Sequence, residues 1–315
     1  MKSCHSAKFT AQIAVCLILL LLSFGPGAMA DTTVSGTIAV DTTWTMAGSP
    51  YIVNSSIRVQ GIDGADAITT LTIEPGVEIR FNANTYLYIG AGSGNPGALV
   101  AQGTSAAPIR FTANTTNPAP GFWRGVQFQD TTHDATTRME HCNVEYAGSV
   151  TYGTYAVNIG DSAPILVSCQ FANSGNYDLY YSGTVGGAVA NCTFSSGLNF
   201  AGTGQVAFDG NTVNWSNTYP VRLPADNVGA FVASTTFTGL DAGSALQVTG
   251  SYLTKDSTWK ASVPFAIATS LRLQGIDGAD GITTLTIEPG AEIRFNANTY
   301  LYIGYSSGDQ GALVA

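Results

Sequence analysis

Apolar residues fall at every second position in short bursts along this chain, as in Leu71/Ile73, Val77/Ile79/Phe81, Leu87/Ile89, Val126/Phe128 and Val157/Ile159. Period two over so few residues marks half-buried strands. Turn formers such as Glu74-Pro75-Gly76, Ser174-Gly175-Asn176 and Asp209-Gly210-Asn211 separate the bursts. No segment after residue 30 shows a sustained helical period, so the sequence predicts an all-β protein. Two all-β architectures compete, a string of sandwich domains and a solenoid of stacked rungs. Cys142, Cys169 and Cys192 are separated by 169 − 142 = 27 and 192 − 169 = 23 positions, and each is followed by a polar residue and then Val144, Phe171 or Phe194. Such spacing repeats one structural position rather than framing disulfides, and it favours the solenoid. Each strand would then pair with its equivalents about 4.8 Å above and below. The three thiols are expected to point inward.

A longer repeat lies over the short one. Residues 58–101 return as 272–315, a shift of 272 − 58 = 214 positions with seven differences. The organisation expected is a first module at 31–247 and a partial second module at 248–315, cut short at Ala315. Residues 1–30 carry Lys2 and Lys8, an apolar run from Ile13 to Phe24, and Ala28-Met29-Ala30 before Asp31. They read as a secretory signal peptide cleaved after Ala30, which places the protein outside the cell or at its surface. No later stretch approaches the roughly 20 apolar residues of a membrane span. The full chain has 12 basic and 21 acidic residues. Loss of two leader lysines leaves 12 − 2 = 10 basic residues and a net charge near 10 − 21 = −11, which disfavours nucleic acid as a partner.

The stretches VSGTIAVDTTWTMAGSPYIV, LTIEPGVEIRF, YLYIG, GALVAQGTSAAPIRFTAN, FWRGVQF and MEHCNVEYAG together resemble the opening of secreted right-handed parallel β-helix proteins of the pectin-lyase-like superfamily. The resemblance implies that fold and leaves the activity open. Polygalacturonase-like hydrolases of the superfamily resemble one another in adjacent aspartates, a Gly-His-Gly and an Arg-Ile-Lys segment, none of which occurs here. The nearest echo of a lyase arginine segment, Arg222-Leu223-Pro224, runs on into Ala225-Asp226-Asn227 without further basic residues. The insertion GIDGADAITT, matched by GIDGADGITT, departs from the family pattern. Its Asp63 and Asp66, repeated as Asp277 and Asp280, could hold calcium or close an Asp-Gly turn. The turn is favoured, because calcium takes six to eight oxygens. No other cofactor is indicated.

The densest polar set is Asp130, His133, Asp134, Arg138, Glu140, His141 and Glu145. Histidine beside carboxylates can act as a general base or bind metal, so Asp130, His133, Asp134, His141 and Glu145 are the catalytic candidates. Their spacing matches no familiar zinc pattern and equally suits a solvated surface. Tyr146, Tyr152, Tyr155, Tyr177, Tyr180 and Tyr181 form an aromatic set on which sugar rings could stack. The expectation is an extracellular scaffold for adhesion or for binding a polysaccharide or cell-surface glycan, within a longer polypeptide of further domains. A polysaccharide lyase or hydrolase and a passive spacer are the alternatives.

Overall fold

A computed structural model of the chain describes residues 31–90, 92, 94–214, 221–241, 243–304 and 310–315. The expected signal peptide lies outside them. The chain winds as a parallel β-helix, in which every strand-to-strand ladder among the described residues is parallel. Three ladders run along the coil. Ladder I stacks Thr42–Trp44, Thr69–Ile73, Gly97–Gln102, Arg138–Glu140, Ile165–Val167, Ala188–Ala190 and Ala207–Asp209. Ladder II stacks Glu78–Phe81, Ile109–Ala113, Cys142–Glu145, Gln170–Ala172, Thr193–Phe194, Asn211–Asn214 and Thr235–Thr238. Ladder III stacks Leu87–Ile89, Val126–Phe128, Val157–Ile159, Leu179–Tyr181, Leu198–Phe200, Arg222–Pro224 and Leu246–Thr249. The long strands Thr32–Ile38 and Tyr51–Val59 bend across ladders II and III in the first coils.

The corner between ladders I and II explains the recurring cysteine unit. His141, Ser168, Asn191 and Gly210 each adopt a positive φ, of 47°, 54°, 55° and 62°. One left-handed residue turns the chain from ladder I into ladder II. The next residue then points inward, as Cys142, Cys169, Cys192 and Asn211. Registers place these four residues one above another, with Ile109 at the head of the stack. The thiols are free and almost wholly excluded from solvent. Cys169 and Cys192 engage each other, the Cys169 N–H donating to Cys192 Sγ at 3.4 Å, and their thiols donate to carbonyls of ladder I. Hydrogen bonding between thiols, followed by burial, pushes the Cys192 pKa upward, so it stays protonated and unreactive. The native protein is therefore expected to resist thiol alkylation and to release three labelled sites only in denaturant. Rapid labelling of the folded chain by Ellman's reagent would contradict this packing.

Aromatic rings fill the coil. Phe81 stacks on Trp123 at 3.8 Å, Phe171 on Phe194 at 4.9 Å, and Trp44 on Tyr51 at 4.9 Å. The shifted counterpart of the last pair, Trp259 and Phe265, also stacks at 4.9 Å.

One element departs from the all-strand expectation. Helix α1 (Ala225–Ser234) stands where ladder I would place its next strand, between Ala207–Asp209 and Ser257–Trp259. It buries Ala225, Val228, Phe231 and Val232, and Phe231 lies 4.6 Å from Phe208 of the rung beneath. Those four residues follow helical spacing, but over so short a run that the period is easily lost among neighbouring strand signals. Pro224 precedes the first turn and Asp226 lies within it, both favourable at a helix start. A Cβ on Gly229 would sit 2.5 Å from Ser257 Oγ, so glycine lets the helix approach the following rung.

The repeated sequence continues the same coil with its ladder I strands in step and its other two strand positions moved on by one ladder. Tyr51–Val59 and Glu78–Phe81 pair in ladder II, whereas their counterparts Phe265–Ile267 and Ile293–Phe295 extend ladder III from Leu246–Thr249. A new ladder begins with Tyr252–Leu253 and continues through Leu271–Leu273 and Leu301–Ile303. Ladder I resumes beyond α1 with Ser257–Trp259, Ile282–Ile287 and Gln310–Val314. The boundary expected between residues 247 and 248 falls inside Leu246–Thr249, which pairs with Arg222–Pro224 on one side and Phe265–Ile267 on the other.

Candidate functional site

Alternation within the ladder III strands turns the outer residues inward and the middle residue outward, where all but Gln127, which its neighbours cover to 5% exposure, are at least partly exposed. Register aligns the middle residues into a column along the coil: Arg58, Tyr88, Gln127, Asn158, Tyr180, Asn199, Arg222, Gln247, Ala266 and Arg294. The column contains three arginines, two tyrosines, four amides and one alanine, and no carboxylate. In a chain of net charge −9 this is a marked segregation.

Residues just before the strands flank the column. The Arg124 guanidinium lies 3.6 Å from the centre of the Tyr152 ring and 4.9 Å from that of Tyr86, and its Nη1 donates to Tyr86 Oη at 2.7 Å. Tyr86 stacks on Tyr88 at 4.8 Å, and Arg58 lies over Tyr88 at 5.3 Å. One coil further, Tyr155 stacks on Tyr180 at 4.1 Å with their planes 10° apart. Burial, then the neighbouring Tyr180 and Tyr177 hydroxyls, raise the Tyr155 pKa, which keeps the phenol a neutral donor. Asn158 Nδ2 donates to Gln127 Oε1 at 2.8 Å, and Arg222 Nε to Gln247 Oε1 at 2.8 Å. A groove of about 590 Å3 opens beside Asn199, Arg222 and Gln247.

Two features make this face chemically incomplete by itself. Arg58, Arg124 and Arg222 take part in none of the ion pairs found among the described residues, whereas Arg80, Arg110, Arg138 and Arg294 each meet a glutamate. Arg124 Nε and Asn158 Oδ1 are buried without a protein partner, a condition that calls for water or a ligand.

Of the aromatic candidates, Tyr155, Tyr177 and Tyr180 come together here and Tyr152 covers Arg124. Tyr181 points into the coil at 1% exposure, since it is the inward neighbour of Tyr180 on a strand. Tyr146 stands at the end of the ladder II strand Cys142–Glu145, away from this column. Tyr86, Tyr88 and Arg124 belong to the site although sequence reasoning left them out. Tyr88 in YLYIG and Arg124 in FWRGVQF occupy recurring positions around ladder III strands, and aligning the triplets would have exposed them.

The catalytic candidates do not form one constellation. Asp130, His133 and Asp134 lie in the connection from ladder III to ladder I, where His133 Nδ1 meets Thr136 Oγ1 at 2.9 Å and Asp134 accepts the Ala163 N–H at 2.7 Å. His141 occupies the corner between ladders I and II. Glu145 lies at the outer end of its ladder II strand, held by Arg110 at 2.8 Å and Thr112 at 3.1 Å. The aspartates of the insertion serve its backbone: Asp63 accepts the Asp41 N–H at 2.6 Å and Asp66 the Ile68 N–H at 3.2 Å. Asp277 and Asp280 repeat both bonds, at 2.6 and 3.1 Å. No group of three or more metal-ligating side chains occurs among the described residues. No helix among them is long and apolar enough to cross a membrane.

Residues 36–161 match the family model for a pectate-lyase like beta helix domain, a segment that spans the first coils and four of the ten residues of the ladder III column. No curated protein and no solved structure matches the chain. Residues 36–161 thus carry a pectate-lyase-like β-helix domain, and the parallel coil runs on beyond them.

Proposed function

We propose that the protein is an exported, non-catalytic scaffold that binds glycans along ladder III. The observation that carries this reading is the column itself, with tyrosine faces, amides and, at Arg58 and Arg222, guanidinium groups without a carboxylate partner, in register along the coil. Sugar rings stack on such tyrosines, while amides and guanidinium groups exchange hydrogen bonds with hydroxyls. Rungs about 4.8 Å apart are spaced close to the length of one pyranose residue, which suits a chain lying along the coil axis. Arginines free of glutamate partners favour glycans bearing carboxylate or sulfate groups.

The test is retention on an array of neutral, uronate-containing and sulfated polysaccharides, together with assays for reducing ends and unsaturated products. Binding without product release is expected. Tyr155→Ala with Tyr180→Ala should weaken it at least tenfold, and added salt should weaken the acidic glycans most. Equal retention of the double variant, or release of products, would overturn the respective half of this reading.

A further inference from the structure

A second cavity lies on a different side of the coil. About 420 Å3 in volume, it is floored by Glu78, Arg80, Arg110 and Thr112 of ladder II and walled by the segment 113–116 with Tyr146. Arg110 is fully committed, with Nε and Nη2 on Glu145 and Nη1 3.4 Å from Glu78. Arg80 is not. Its Nε meets Glu78 Oε1, and its two terminal nitrogens have no protein acceptor among the described residues. Asn114 donates through Nδ2 to Asn82 Oδ1 at 2.7 Å, which leaves its own Oδ1 as an acceptor toward the cavity.

Tyr146 supplies the independent observation. Its φ is +60°, a left-handed conformation that a bulky side chain adopts at a conformational cost. One residue past the last register pair, Glu145 with Ala172, the equivalent position in the next coil is Asn173, at φ +56°, a residue type that tolerates this region. The backbone over-determines the position. The Tyr146 N–H donates to Ala172 O at 3.1 Å, its carbonyl accepts the Trp123 N–H at 3.4 Å, and the neighbouring Glu145 carbonyl accepts Trp123 Nε1 at 2.8 Å. The fold therefore tolerates a tyrosine where asparagine would serve the corner better, and the ring lines the cavity. Strain retained beside a cavity and an open guanidinium is a signature of a binding site.

We infer that this cavity binds a small hydroxylated carboxylate, a hydroxy acid or sugar acid. The carboxylate lies on the terminal N–H groups of Arg80, hydroxyls meet Asn114 Oδ1 and the threonine hydroxyls, and the carbon skeleton lies against Tyr146. The site is independent of the glycan face on ladder III and stands if that reading fails.

Calorimetric titration of the intact protein with gluconate and glucuronate tests it, with glucose and acetate as probes lacking one half of the recognition each. An oligouronate distinguishes a free acid from the end of a polysaccharide. Gluconate or glucuronate should bind, glucose and acetate at least tenfold more weakly. Arg80→Gln should reduce binding at least tenfold. Tyr146→Asn should do the same while melting no lower than the parent protein. Failure of both acids to bind, or a Tyr146→Asn protein that binds as the parent does, would overturn the inference. A Tyr146→Asn protein that melts lower yet binds normally would make Tyr146 a packing residue and overturn it equally.

Discussion

Phe81→Ala is expected to cost about 3–5 kcal/mol of stability, whereas Phe295→Ala, in the identical segment EIRFNANTYLYIG, is expected to cost only about 1 kcal/mol. Phe81 has 0% exposure and packs between Trp123 and Phe111, while Phe295 is 45% exposed. Truncating the first ring leaves a void walled by rigid neighbours. At the second, solvent already reaches the ring and can fill the gap. Urea unfolding of the two single variants measures the difference. Similar losses would show that the covering rung, Ile109–Ala113 with Trp123, which has no counterpart over Phe295 within residues 1–315, contributes little to the packing of this residue. The comparison isolates tertiary context because local propensity is the same in both copies.

The second large effect depends on pH. Asp178 has 0% exposure, accepts the Ser195 and Ser196 N–H groups at 2.8 and 2.6 Å, and receives the Ser174 hydroxyl. Burial raises its pKa from 3.8 to about 6, outweighing those three hydrogen bonds, which act in the opposite direction. A folded-state pKa above the unfolded one means that the fold binds the proton more tightly. The associated stability is fully present below pH 4 and is lost as pH rises through 6. A shift of this size corresponds to about 3 kcal/mol. Asp178→Asn keeps an oxygen for the two backbone donors and an amide that can donate to Ser174, but has no charge to desolvate. Its stability relative to the parent should therefore improve by about 3 kcal/mol between pH 4 and pH 7.5. Measuring urea unfolding of both proteins at the two pH values removes contributions common to them. A difference that does not change with pH would mean that water reaches the carboxylate in solution.

The coil was legible because its physics repeats. Apolar alternation fixed strand positions, and the Cys-polar-Phe/Val unit marked one corner several times. The helix was hidden by brevity, since its four inward-facing apolar residues in ten can be read as part of a strand pattern. The ladder III column was only partly legible. Tyr155, Tyr177 and Tyr180 could be singled out by type, but placing them beside Tyr86, Tyr88 and Arg124 needs the register across rungs, and the connections between ladder III strands vary in length. The polar run from Asp130 to Glu145 misled for the converse reason. Neighbours in sequence are turned to different sides of the prism within a few residues, so density along the chain did not become proximity in space.

The offset at the joint between the two copies affects more than packing. Strands of the same sequence lie on ladder II before the joint and on ladder III after it. Strands equivalent to Thr69–Ile73 stay on ladder I in both copies, so that side of the coil runs straight through the joint. A chain lengthened by further copies joined in this way would keep one side continuous while displacing the outward residues of the other two strand positions sideways at every joint, so that like residues would form offset lengths instead of one unbroken file.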